Sequence, residues 1–215
     1  MDFSQWEPIY DDILSDLGFD RNEDENSVRI LKAVTLNSDL RMGDDAAEHM
    51  QRIVTVVGNA PCLEKDVSDR GLEGTVICSG SAVGRLMALG RNPDMVFTDL
   101  DGDIDDQLEA SSKGAFTFIH AHGDNAGLIT RYAGLFKGPV ILTTQSVPEY
   151  TVFNYGGFTD GDRAVCFAEH FGAERIRLVG FDYENPMPKE GSDPEMKKRK
   201  LGWAKRIILM FDNVC

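Results

Sequence analysis

Positive charge is scarce: 22 lysines and arginines stand against 36 aspartates and glutamates, a formal net charge of −14 over 215 residues. So acidic a chain repels a phosphate backbone at long range, which argues against nucleic acid as a partner. Cysteine is scarce too. Cys62, Cys78, Cys166 and Cys215 are dispersed with no C-x-x-C spacing, which excludes a disulfide framework and a structural zinc site. No run of 18 apolar residues occurs, so no membrane span is expected. The opening MDFSQWEPIYDD has no basic segment ahead of an apolar core, so no secretory signal is expected either, and a reducing cytoplasmic setting fits. Neither a Walker-type G-x-x-x-x-G-K-[ST] nor a G-x-G-x-x-G is present, which removes the two commonest phosphate-binding fingerprints.

What is present is an ordinary globular composition, 42% hydrophobic and 27% charged, enough to build a packed core. Trp6, Ile9, Ile13 and Leu17 recur at helical spacing before Gly18, and Val28, Leu31 and Val34 form a second helical stripe. The acids between Asn22 and Asn26 suit that helix's N-terminal dipole and read as a solvated face. Residues 1–50 contain no strand-like run and form an N-terminal helical segment. From residue 53 the texture changes. Short β-branched runs at Ile53–Val57, Thr75–Cys78, Met95–Thr98, Phe116–Ala121, Val140–Thr143 and Ile176–Gly180 alternate with helical patterns near Ala82–Leu89, Ile104–Lys113, Ala126–Phe136 and Arg163–Phe171. Alternation of this kind implies right-handed crossovers, so residues 51–215 are expected to form an α/β domain, a doubly wound, mostly parallel open sheet. A terminal helix is expected within Pro194–Val214.

In such sheets ligands bind beyond the carboxyl ends of the strands, and the polar clusters fall there. Asp99 and Asp101, two apart at a strand end, repel each other unless a cation relieves them, and paired hard oxygens suit Mg²⁺. Asp103 and Asp105 read as a helix start. The next strand ends in His120-Ala-His-Gly-Asp-Asn125. His122 and Asp124 read as functional, whereas His120 is equally well a buried core residue. An H-x-H-x-D run also occurs in zinc hydrolases, but His49 and His170 lie in helical stretches away from strand ends, leaving no further ligands. The loop Gly58-Asn59-Ala-Pro and the turn Ser79-Gly80-Ser81 offer backbone amides after two strands. Asn154–Arg163 is a glycine-rich lead into a helix, in which Arg163 either grips a phosphate or pairs with Asp160 or Asp162. Asp182, after Gly180-Phe181, is either a cap or a substrate contact.

In combination, Gly58-Asn-Ala-Pro, Pro93-Asp-Met-Val-Phe-Thr-Asp-Leu-Asp-Gly102, His120-Ala-His-Gly-Asp-Asn125, Thr143-Thr-Gln145 and Gly180-Phe-Asp182 resemble the archaeal type of 6-hydroxymethyl-7,8-dihydropterin pyrophosphokinase, itself similar to thiamine pyrophosphokinases. The resemblance spans roughly residues 50–210. It implies pyrophosphoryl transfer from ATP to a pterin alcohol with Mg²⁺ and release of AMP, in folate- or methanopterin-type biosynthesis. On that reading Asp99, Asp101 and Asp124 organise the metal, with His122 beside them. Ser79, Gly80, Ser81, Asn125 and Arg163 meet the nucleotide, and Gly58, Asn59, Gln145 and Asp182 meet the substrate. A homo-oligomer is left open. One departure stands out: where an Ala-Asp-Gly-Ala-like turn is expected, this chain has Cys78-Ser-Gly-Ser81, with no carboxylate. Two other readings remain at this point. Asp99-Leu-Asp101 is also the D-x-D of a nucleotide-sugar glycosyltransferase, which would release a nucleoside diphosphate, and the same sheet would serve a non-catalytic nucleotide-binding module.

Overall fold

Successive side chains along each apolar run point to opposite faces of one sheet, and both faces are buried. In the computed structural model, which describes residues 1–185, 187 and 193–215, β2 (Ile53–Val57), β3 (Thr75–Ser79), β4 (Met95–Thr98), β5 (Phe116–Ala121) and β6 (Pro139–Thr144) lie side by side in chain order. β7 (Arg175–Val179) returns to the free side of β2, and every pairing is parallel. The sheet is therefore the doubly wound α/β sheet the sequence implies.

One face is filled by Val54, Val56, Ile77, Met95, Phe97, Phe118 and Ile141, packed on Ala164, Val165 and Phe167 of α8 (Asp160–His170). The neighbours of those residues in each strand point the other way. Val57, Val76, Cys78 and Val96 meet α4 (Leu63–Arg70), α5 (Val83–Ala88) and α6 (Ile104–Ser112). Ile119, Ala121, Val140 and Leu142 meet α2 (Arg21–Val34) and α7 (Ala126–Tyr132). Steps in one direction along the sheet put helices on one face, and the long return from β6 to β7 puts α8 on the other.

α1 (Phe3–Leu17) begins with Asp2 accepting from Gln5 N at 3.0 Å and ends at Gly18 with φ 72°; its buried stripe is Trp6, Tyr10, Ile13 and Leu17. That stripe packs against Phe158 and Cys166 and against Ile207 of α9 (Pro194–Ile208), so the N- and C-terminal helices close over the α8 side together.

Two expectations need correction, and two features add to what was expected. Residues 1–50 do contain a strand: β1 (Asp39–Leu40) pairs with Pro139 and Val140 of β6, two residues too few to show a pattern, followed by the short α3 (Gly43–Ala47). α4 follows the Gly58–Pro61 loop and was invisible because only Leu63 of it is fully buried. The terminal helix stops at Ile208, and the chain beyond it runs beside β7, where Ile176 N donates to Asn213 O and Leu178 N to Cys215 O. The acids after Asn22 lie in the first turns of α2, and Asp24 is buried rather than solvated. All four cysteines are free, and no helix among the described residues is long and apolar enough to cross a membrane.

Phe118 is stacked on Phe97 at 4.1 Å and edge-on to Phe167 at 4.6 Å, which joins β4, β5 and α8. Phe118→Ala should cost about 3–5 kcal/mol, a fall in Tm of roughly 10 °C for a chain of this size. Thermal unfolding checks it; an unchanged Tm would show that the aromatic cluster is not the centre of the core.

Candidate active site

Beyond the carboxyl ends of the strands lies a cavity of about 590 Å³. Its floor is built at the end of β4. Leu100 has φ 67°, the only non-glycine residue in the left-handed region among the described residues. A conformation costing about 1–2 kcal/mol persists only where its surroundings insist on it. Here the Leu100 side chain is buried in the core with Ile119 and Leu142, and its N–H donates to Thr98 Oγ1 at 2.8 Å. Thr98 Oγ1 donates in turn to Gln107 Oε1 at 2.8 Å, and Gln107 Nε2 donates to Asp101 O at 2.8 Å. Gly80 must lack a side chain, because a Cβ there would stand 2.5 Å from Thr98 Oγ1.

The turn brings Asp99 and Asp101 to one side, and α8 delivers a third carboxylate: oxygens of Asp99, Asp101 and Asp160 all lie within 4.8 Å of one another. Gly80 N donates to Asp160 Oδ2 at 3.3 Å, so Asp160 lies against the very turn that carries no carboxylate of its own. Burial first, and the charge of Asp99 second, push the Asp160 carboxyl well above its ordinary value. Burial acts the same way on Asp99, but there the hydrogen bond from His122 and the nearby Arg163 guanidinium outweigh it and hold that carboxyl well below the usual range. His122 Nδ1 accepts from Asp124 N at 3.4 Å, so Nε2–H faces Asp99 Oδ2, also at 3.4 Å. Arg163 is almost fully buried. Its Nη1 lies 3.2 Å from Asp160 Oδ1 and its Nη2 donates to Phe158 O, while Nε has no partner.

Most of the remaining residues singled out by the sequence line the same cavity: Gly58, Asn59, Ser79, Ser81, Gln145 and Asp182. Asn59 Oδ1 accepts from Arg85 Nη1 at 2.8 Å, which fixes the loop after β2 to α5. Asp182 caps its own turn, accepting from Glu184 N and Asn185 N, while lining the cavity. Two residues sit apart from the roles the sequence gave them. Asp124 is exposed on the rim and is not one of the three clustered carboxylates. Asn125 faces backbone: its Nδ2 donates to Asp99 O and His120 O at 2.9 and 2.7 Å, and its Oδ1 accepts from His122 N at 3.0 Å, tying β4 to β5. His120 is buried, its Nδ1 3.1 Å from Thr143 Oγ1; burial and then the charge of Arg163 push its pKa well down, which makes it a neutral core residue.

Two cavity residues escaped the sequence. Asp160 was visible only as part of a helix start, because its neighbours in space come from β3 and β4. Asp24 hides in an acidic run, yet it lines the cavity and accepts from Tyr10 Oη, Gln145 Nε2 and Gly123 N. The lining also has apolar and cationic members: Phe19, Phe158 and Phe181, and Lys200 of α9. Lys200 Nζ sits 5.2 Å above the Phe19 ring.

A carboxyl whose folded pKa exceeds its unfolded value adds stability below the unfolded pKa and loses it as pH rises through the folded one. Asp160→Asn should therefore gain Tm over the unsubstituted protein progressively from acid towards alkaline pH, in melts run with chelator. A gain confined to acid pH would contradict the crowding of Asp160 by Asp99.

Known proteins resemble this chain over nearly its whole length. Residues 25–186 match the family described as 6-hydroxymethylpterin diphosphokinase MptE-like. A 6-hydroxymethyl-7,8-dihydropterin pyrophosphokinase of Methanothermobacter thermautotrophicus is 38% identical over 220 residues, covering 97% of this chain and 94% of the relative. Proteins of the same name from Pyrococcus furiosus and Methanocaldococcus jannaschii are 35% and 31% identical, covering 99% and 97% of this chain and 95% of each relative. With its strand-end motifs in the same sheet, the chain belongs to the MptE-like family of 6-hydroxymethylpterin diphosphokinases.

Proposed function

We propose that this cavity transfers the terminal pyrophosphoryl group of ATP to the hydroxymethyl oxygen of 6-hydroxymethyl-7,8-dihydropterin, as a cytoplasmic step in making folate- or methanopterin-type carriers. The three relatives carry the name of that activity, and the observation that carries the reading to this chain is the group of three carboxylates at the end of β4. A mutually repelling set of hard oxygen donors in a cavity fits Mg²⁺, and Asp99, Asp101 and Asp160 are the residues that would hold it. When bound there, the ion would neutralise charge on the phosphate oxygens.

The chain's own residues account for the rest. His122 orients Asp99 and keeps it ionised. Arg163 lines the cavity and offsets the charge of Asp160. Lys200, which also lines the cavity, offers a second positive charge. Ser79, Ser81 and the loop at Gly58–Asn59 border the space for nucleotide and substrate. The acceptor oxygen attacks the β-phosphorus, the bond from that phosphorus to the oxygen shared with the α-phosphorus breaks, and AMP departs. The hydroxyl proton passes to a rim carboxylate, for which Asp124 is our assignment. Catalysis of this kind is positioning and charge neutralisation, which is what rigid strand ends supply.

Incubation with ATP, Mg²⁺ and the pterin alcohol should yield AMP and diphosphorylated pterin in equal amounts by phosphorus NMR, and EDTA should abolish turnover. ADP with a monophosphorylated product would overturn pyrophosphoryl transfer. Nucleotide binding with no product from any alcohol would select a binding module, and release of a nucleoside diphosphate from a nucleotide sugar would select the glycosyltransferase. Asp99→Asn and Asp101→Asn should each lower kcat by on the order of 10²-fold or more, with Tm retained or raised because a repelling charge is gone. A variant of near-native rate would remove that aspartate from the site.

A further inference from the structure

A second polar feature borders the cavity, and the phosphate chemistry does not use it. Asp24 and Gln145 are each only 3% exposed, and both line the cavity. Gln145 Nε2 donates to Asp24 Oδ2 at 2.8 Å, which turns the other half of the amide elsewhere, and Gln145 Oε1 has no partner of full hydrogen-bond geometry. A buried acceptor without a donor is uncommon in a folded protein and calls for one from outside.

The His120 ring stands beside Gln145, yet neither its Nε2 nor Gln145 Oε1 has a partner of full hydrogen-bond geometry. Thr143 Oγ1 donates to Ile119 O at 3.3 Å, so it accepts from His120 Nδ1–H at 3.1 Å, and the ring's Nε2 is left as a bare acceptor. Asp24 Oδ1 takes only the Gly123 N–H, at 2.6 Å, which leaves it room for a further donor. This end of the cavity is thus rich in acceptors and lacks donors. A ligand edge that fits it carries two adjacent N–H donors. The 2-amino and N3–H groups of a 2-amino-4-oxopyrimidine ring form such an edge, whereas adenine sets a donor beside an acceptor.

We infer that Asp24 and Gln145 form the subsite that reads the amino-oxo edge of the pterin ring, an inference that rests on the pterin reading above. Asp24 accepts from the 2-amino group in a charge-assisted bond, and Gln145 Oε1 accepts from the ring N–H beside it. The placement suits the reaction. Gly123, held by Asp24, follows His122, which contacts Asp99, so the recognised edge and the acid group stand at opposite ends of one short span of β5 loop. Phe19, one residue before the Asp20 cap of α2, lines the cavity and offers a face to the ring. The N-terminal helices thereby enter the active site as the substrate-reading element.

The test uses the full chain with two acceptors, the natural pterin alcohol and its analogue with hydrogen in place of the 2-amino group. The unsubstituted protein should prefer the natural acceptor by about 10–100-fold in kcat/KM, the range for losing a hydrogen bond to a charged group. Gln145→Met and Asp24→Asn should raise KM for the pterin and leave KM for ATP unchanged, and in Asp24→Asn the preference for the 2-amino compound should collapse towards unity. Gln145→Met keeps the carboxylate and serves if Asp24→Asn does not fold. A rise in KM for ATP instead would assign the subsite to the nucleotide base and overturn the inference. So would wild-type pterin KM in Gln145→Met or an undiminished preference in a folded Asp24→Asn. Failure of the unsubstituted protein to use either acceptor would instead remove the pterin reading itself, and this inference with it.

Discussion

Three carboxylates that repel one another are held in one place, and much of the surrounding architecture works against that repulsion. Leu100 takes a left-handed backbone so that Asp99 and Asp101 face the same side, and its buried side chain keeps it there. Asn125 clamps the end of β4 to the end of β5 through two backbone carbonyls. Arg163, nearly fully buried, lies between Asp160 and the Phe158 carbonyl. In a chain of net charge −14, such a concentration of negative charge would be a liability anywhere that a cation did not visit.

The topology explains how the third carboxylate arrives. Five strands march across the sheet in order, and the chain then returns along the opposite face through α8 to reach β7. The start of α8 therefore stands over β3 and β4 at the carboxyl edge, where Gly80 N meets Asp160. The turn after β3 has serine where the family resemblance leads one to look for an acid, and a carboxylate from a distant helix occupies the space beside it. The second buried carboxylate, Asp24, has a different economy of bonds: it unites α1 through Tyr10, the end of β6 through Gln145 and the loop after β5 through Gly123. Trp6 Nε1 adds a bond to the Gln145 carbonyl at 2.8 Å, so the N-terminal helices are fastened to the same strand ends that carry the chemistry.

Much of this was legible in the residues. Strand runs such as Met95–Thr98 and Phe116–Ala121 coincide with β4 and β5 because central parallel strands are buried on both faces and read as continuous apolar stretches. Asp99, Asp101 and His122 were legible because strand-end position is itself the signal in an open α/β sheet. What escaped has physical reasons. β1 is two exposed residues held by pairing with β6 alone, and α4 has a single fully buried side chain, so neither has a pattern to read. Asp124 follows His122 closely in sequence but points to the rim, whereas Asp160 is far off in sequence and close in space. Asp24 looks like one more solvated acid until Tyr10 and Gln145 are seen to enclose it.

The most direct test of the carboxylate group is a crystal structure with Mn²⁺ and a non-hydrolysable ATP analogue, the ion located by its anomalous scattering. The expected result is an anomalous peak within coordinating distance of Asp99, Asp101 and Asp160, with phosphate oxygens completing its shell. A peak held by Asp124 or Asp182 with Asp160 uninvolved, or nucleotide bound with no ion near the end of β4, would contradict it.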